Sequence, residues 1–195
     1  MKIYVIGSCR VHGPLKPVKG YCRGPVGYTH STKEAIQNIQ FVRQEITIAP
    51  ELRKYVFGRS QDPWRKPHKE WLDAADVVIV EISTGKINEC QGVYLQSNYL
   101  ERHGGIDGVQ AYKQDDLNQD IETLKGMVNN LIVVQHIELP GIPERSAFAA
   151  ELRQACTDHD VPVFQPTGKT VDPYHYDPKA LPEVRSEMLR FIRQC

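Results

Sequence analysis

Apolar positions along this chain follow two rhythms: short, nearly unbroken runs, and runs that return every three or four residues. A β-branched and aromatic run at residues 2–7, "KIYVIG", predicts a first strand. Residues 76–82, "DVVIVEI", and 130–137, "NLIVVQHI", are almost continuously apolar, as strands covered on both faces should be. "EITIAP" at 45–50 and "VPVF" at 161–164 supply two shorter strands. Between them, Ser31 and Glu34 form a capping box ahead of Ala35, Ile36, Ile39 and Val42, which predicts a helix ending near Gln44. Asp116 opens a D-x-x-Q cap before Leu117, Ile121, Leu124 and Val128. Pro143 begins a helix with Phe148, Leu152 and Ala155 inward, and a last helix carries Val184, Met188, Phe191 and Ile192.

Strands and helices alternating at crossover length predict a parallel sheet with helices on both faces, a three-layer α/β/α domain. Three stretches break the alternation. Residues 10–31 are rich in Gly and Pro and read as a long loop beside the site rather than a helix. Residues 51–69 mix aromatic and basic residues and read as a solvated surface segment or as the basic edge of a cleft. Residues 84–113 read as an insertion into one domain spanning 1–195.

Composition narrows the function classes. Lys plus Arg and Asp plus Glu are both 24, so no overall field draws the chain to nucleic acid or a membrane surface. No apolar run reaches the roughly 20 residues of a membrane span, and the opening residues lack a signal-peptide core; a cytoplasmic location is expected. The five cysteines form no CxxC pair, and the seven histidines show no HExxH spacing, so neither a disulfide framework nor a metal or other cofactor is expected.

In an open parallel sheet, ligands bind beyond the carboxyl ends of the strands. Gly7-Ser8-Cys9, Glu81-Ile82-Ser83, Gln135-His136 and the turn from Asp172 to His175 all fall there. "GSCRVHG" is neither a dinucleotide fingerprint nor a Walker loop, and Cys9 has no redox partner nearby in sequence. A nucleophile fits better. "DPYH" sets Asp172 three residues before His175, a spacing at which a carboxylate can accept from Nδ1–H and leave Nε2 to take a proton. The plainer alternatives are a buried thiol at Cys9 and a turn-capping Asp172. Arg10 and His12 either bind an anionic group or flank the turn. Tyr28 and His30 are candidates to line the pocket. Trp64 and Trp71 read as packing residues, and Cys22, Cys90, Cys156 and Cys195 as structural.

The order G-x-[Ser or Cys] after strand one, with D-x-x-H before the last helix, resembles the SGNH (GDSL-type) hydrolase superfamily. Gly7-Ser8-Cys9 matches its first block and Asp172 with His175 its last. The Gly-Ser-Cys opening is similar to that of SGNH-like families that include capsule-polysaccharide proteins of the acyltransferase kind. The resemblance implies a flavodoxin-like sheet of order 2-1-3-4-5 and a Cys9–His175–Asp172 triad. It implies acyl transfer through a thioester, by an esterase, thioesterase or acyltransferase acting on a small-molecule or carbohydrate substrate. The superfamily's middle blocks, which supply a Gly and an Asn to the oxyanion hole, have no clean match; "EISTGKINE" stands in their place. Ser83 and Asn88 are then the candidate side-chain donors, with Ser8, Arg10 and His12 as further substrate-binding candidates and the Cys9 backbone N–H as a dependable one. The missing block leaves open a non-catalytic protein of the same fold that binds a carbohydrate or acyl ligand.

Overall fold

The structure, a computed structural model, describes residues 1–24, 29–59, 65–136, 143–167, 170–172 and 175–195. The chain opens with β1 (Ile3–Ile6), α1 (Cys9–Leu15), β2 (Tyr21–Arg23) and α2 (Thr32–Val42). Then come α3 (Arg53–Phe57), α4 (Arg65–Asp73), β3 (Val77–Ile82), β4 (Lys86–Cys90), β5 (Val93–Tyr94), α5 (Ser97–Arg102) and β6 (Gln110–Lys113). The second half runs α6 (Leu117–Met127), β7 (Leu131–Gln135), α7 (Pro143–Asp158), β8 (Val163–Phe164), β9 (Thr170–Asp172), β10 (His175–Tyr176) and α8 (Leu181–Gln194).

Five strands form one parallel sheet in the order β2-β1-β3-β7-β8. Counted within that sheet alone, this is the expected order 2-1-3-4-5. Side chains alternate across it. Tyr4, Ile6, Val78, Val80 and Val133 pack on one face with Ala35, Ile39, Leu72, Ile121, Leu124 and Leu152 of α2, α4, α6 and α7. Ile3, Val5, Ile79 and Val134 pack on the other with Val11 and Leu15 of α1 and Met188 and Ile192 of α8. The three layers are therefore α1/α8, the sheet, and α2/α4/α6/α7.

Local chemistry explains the helix starts. Ser31 Oγ accepts from the Glu34 N–H at 3.3 Å, and the Glu34 carboxylate reaches back to the His30 N–H at 3.1 Å. Asp116 caps α6 through the Gln119 N–H at 2.9 Å.

Four expectations need correction. Residues 10–31 are not one loop: α1 and β2 lie within them. Ser8 caps α1, and Val11 and Leu15, one turn apart, bury against the sheet, which outweighs Gly13 and Pro14 over two turns. The second sheet strand is Tyr21–Arg23, because residues 45–50 form no strand. Ile48 is buried instead with Phe41, Leu52, Tyr55, Val56 and Phe57 in a third cluster, which also takes in Cys90 and Leu95. That cluster corrects the solvated reading of 51–69 for the stretch around α3, which turns Tyr55, Val56 and Phe57 inward. Residues 84–113 contain a separate antiparallel sheet, β5-β4-β6, with α5. Trp71, expected to pack, is 45% exposed. Tyr28 and Trp64 lie outside the described residues.

Gly20 is where the chain turns back to pair with β1. Its φ is +88°, its carbonyl accepts the Ile3 N–H at 2.9 Å, and a Cβ there would stand 2.4 Å from the Met1 carbonyl oxygen. Gly20→Ala is expected to lower stability by more than about 1 kcal/mol, read as a lower urea midpoint at unchanged m-value.

Candidate functional site

The site is built where β1, β3 and β7 end side by side. Strand alternation turns Glu81 of β3 toward α1, and the residues after β1 close over it. Gly7 makes this possible, because a Cβ on it would lie 2.8 Å from Glu81 Cβ. The Ser8 N–H donates to Glu81 Oε2 at 2.6 Å, and the Ser8 hydroxyl also hydrogen-bonds the carboxylate. Arg10, one residue past Cys9, places Nε at 2.7 Å and a terminal nitrogen at 2.6 Å from Glu81 Oε1. Glu81 is 1% exposed and Arg10 7%. Burial by itself would raise the Glu81 carboxyl, but the Arg10 guanidinium and the Ser8 hydrogen bonds reverse this and hold it below the ordinary carboxylate range.

Beyond the pair, the other terminal nitrogen of Arg10 donates to His136 Nε2, and Arg145 approaches the same atom at 3.4 Å. A guanidinium offers donors alone, so Nε2 of His136 is the acceptor in both contacts. Gln135 Oε1 accepts from Arg153 at 3.0 Å. His30 closes the other side. Its carbonyl accepts the N–H groups of Ser83 and Thr84 at 2.7 and 3.1 Å, and its Nδ1 lies 3.1 Å from the Gln96 amide. Burial lowers the His30 pKa; Glu81 opposes this, while Arg10 and Arg145 add to it.

Cys9 is the exposed member of the turn, the first residue of α1 between two buried neighbours. β10, which carries His175, packs against α1. The exposed His175 pairs its backbone with Asp172 of β9, while Tyr176 is buried beside Val184. The side chain of Asp172 and residues 173–174 lie outside the described residues.

The other candidates are placed as follows. Ser8 turns its donors inward to Glu81. Arg10 is buried in its ion pair. His12 is 7% exposed and lies against β2, with Nδ1 2.7 Å from the Tyr21 hydroxyl. Burial, helped by Arg23 against a smaller pull from Glu81, lowers the His12 pKa to about 4. Ser83 stands beside His30. Asn88 sits on β4 of the small sheet, where its amide donates to Ser97 Oγ at 2.7 Å. Cys90 and Cys156 are buried, and burial pushes the Cys156 thiol up to about 12, as suits structural cysteines; Cys195 is exposed. Among the described residues no group of three His, Cys, Asp or Glu side chains converges as a metal would need, and no helix is long and apolar enough to cross a membrane.

Sequence reasoning gave no role to Glu81, His136 or Arg145. Glu81 carried a signal, as the single charge inside the apolar run of β3. His136 carried the signal of its place at the carboxyl end of a strand, whereas Arg145 carried none, since its approach depends on how α7 is placed.

The fold and this edge define a doubly wound parallel α/β domain with a buried ionic network beneath an exposed thiol. By sequence, the chain belongs to the TviD N-terminal domain family, whose model matches residues 1–105. It is 33% identical over 104 residues to the Vi polysaccharide biosynthesis protein TviD of Salmonella typhi, a match covering 50% of this chain and 12% of that protein. No solved structure matches the chain. The family match takes in Cys9, Arg10, His30 and Glu81, whereas His136, Arg145, Asp172 and His175 lie beyond it.

Proposed function

We propose that this protein is an SGNH-like acyl-transfer enzyme acting in carbohydrate modification, with Cys9 as nucleophile, His175 as general base and acid, and Asp172 orienting His175. One observation carries this reading: the thiol at the lip of the sheet is exposed while the residues on either side are buried and pinned, and the strand bearing His175 lies against its helix. The relative's part in polysaccharide biosynthesis supports a carbohydrate as the acyl acceptor or substrate.

In the proposed reaction His175 takes the Cys9 proton, and the thiolate attacks the carbonyl carbon of an ester, thioester or other activated acyl group. The tetrahedral intermediate collapses to a thioester as the leaving oxygen or sulfur takes that proton from His175. An acceptor hydroxyl, amine or water then gives its proton to His175 and attacks the thioester carbonyl. Cys9 leaves as thiolate and recovers the proton. The first amide of α1, which has no acceptor within the helix, is the dependable oxyanion donor.

Intact-mass and peptide spectrometry after mixing the protein with aryl ester and acyl thioester donors tests this. The expected result is one acyl group on Cys9, absent in Cys9→Ala, and formed about 10²-fold or more slowly in His175→Ala. Acylation confined to Cys195, or none, overturns the reading in favour of a binding protein of the same fold.

A further inference from the structure

We propose that Glu81 is the positioning residue of the nucleophile turn: its single carboxylate grips the residue before Cys9 and the residue after it, and thereby fixes the thiol outward at the lip. This rests on the reading of Cys9 as nucleophile. The geometry is specific. One oxygen accepts the Ser8 N–H at 2.6 Å, and the other accepts two nitrogens of Arg10 at 2.7 and 2.6 Å. Both contacts are buried, and they bracket a residue that is itself exposed. A carboxylate is the group this arrangement needs, because every atom facing it is a donor and it offers acceptors alone. Glutamine at this position would turn an NH2 group toward Ser8 or Arg10, donor against donor. The carboxylate also sits in the middle of the sheet, between β1 and β7, where the backbone is held on both sides. A turn tied to that strand inherits its rigidity, as a reactive group held in one orientation requires.

Charge and position make opposite forecasts for Glu81→Gln. If Glu81 acted on Cys9 only as a nearby negative charge, removing it and leaving Arg10 unpaired would favour the thiolate and speed alkylation at mildly acid pH. If Glu81 positions the turn, its loss lets residues 8–10 move, and Cys9 slows toward an ordinary thiol.

The test follows iodoacetamide alkylation of Cys9 against Cys195 within the same full-length molecules, by peptide mass spectrometry across pH, together with hydrogen exchange of the Ser8 amide. In Glu81→Gln the Cys9-to-Cys195 rate ratio at about pH 6 should fall about tenfold or more, and Ser8 exchange should quicken. An increased ratio, or an unchanged ratio with unchanged Ser8 exchange in a folded variant, overturns the proposal. Should Glu81→Gln not fold, Arg10→Lys keeps the positive charge but loses the two-nitrogen grip. Its ratio should fall about threefold, and no change there overturns the proposal equally. A wild-type Cys9 no faster than Cys195, with the Ser8 amide still released by Glu81→Gln, sinks the nucleophile and leaves the hold on the turn standing. A fast wild-type Cys9 that ignores Glu81→Gln does the reverse.

Discussion

Glu81→Leu is expected to cost about 3–5 kcal/mol of stability, because it leaves the Arg10 guanidinium buried without its counter-charge. The Ser8 N–H loses its acceptor in the same stroke, a further cost of about 1–3 kcal/mol where no water enters. Arg10→Leu alone should be similarly harmful, since it strands a carboxylate that is 1% exposed. The double variant Glu81→Leu/Arg10→Leu should recover at least about 2 kcal/mol of the summed single losses. It removes both charges together, and leucines refill much of the space between β3 and α1. Recovery stays incomplete because the Ser8 N–H has no acceptor in place of Glu81 Oε2. Urea unfolding of the four proteins gives the coupling directly. Strictly additive losses would mean that the two side chains do not act as a pair, and the network drawn around Cys9 would fall with them.

How much of this was readable beforehand depended on where the driving force lay. The inner strands β1, β3 and β7 are buried on both faces, so their sequences are nearly continuous apolar runs. α2 and α6 carry both a cap and a spaced apolar stripe, two independent signals for the same element. β2 carries neither. Its three residues, Tyr21 to Arg23, are half-buried or exposed and lie at the sheet edge among glycines and prolines, held by backbone pairing to β1. The alternation at 45–50 imitated a strand because Ile46 and Ile48 reach the cluster around Phe41 and Leu52 without any ladder. Packing had written a period-two pattern into irregular backbone.

The candidate site divides in the same way. Cys9 was legible because the end of a first strand is a place the topology reserves for ligands. Its supporting carboxylate was half-legible: a lone glutamate in "VVIVEI" is costly unless something pairs with it, yet only the fold identifies Arg10 and Ser8 as the partners. The meeting of His136 with two arginines is a tertiary fact with no sequence period behind it. Comparison by sequence reaches the Cys9, Arg10 and Glu81 part of the network and stops before the segments that bring His136 and His175.

Glu34→Gln is expected to stabilise the protein above neutral pH, an unusual sign for a substitution inside a capping box. Burial raises the Glu34 carboxyl to about 7 from an ordinary 4.5, against the opposing hydrogen bonds from the His30 N–H and Ser31. Because the folded value lies above the unfolded one, the folded state holds the extra proton between them. Stability therefore falls as pH rises from about 4.5 to about 7, and is flat beyond. The full difference corresponds to about 3 kcal/mol, and partial exposure of the side chain reduces it to about 2. Glutamine keeps an acceptor for the His30 N–H, cannot ionise, and should restore that amount at pH 8 while leaving stability at pH 4 unchanged. His12 acts in the opposite direction. Its folded value of about 4 lies below the ordinary 6.5, so its contribution is complete above the ordinary value and is lost as pH falls through the folded one. In the native chain the Glu34 slope opposes that of His12, and that of His30, whose pKa burial also lowers, between about pH 4.5 and 6.5. Glu34→Gln should unmask the buried histidines, giving a stability that climbs through that window and then stays level. Thermal unfolding at closely spaced pH reads both effects; a variant whose profile parallels the native one would show that Glu34 ionises as freely in the folded protein as in the unfolded chain.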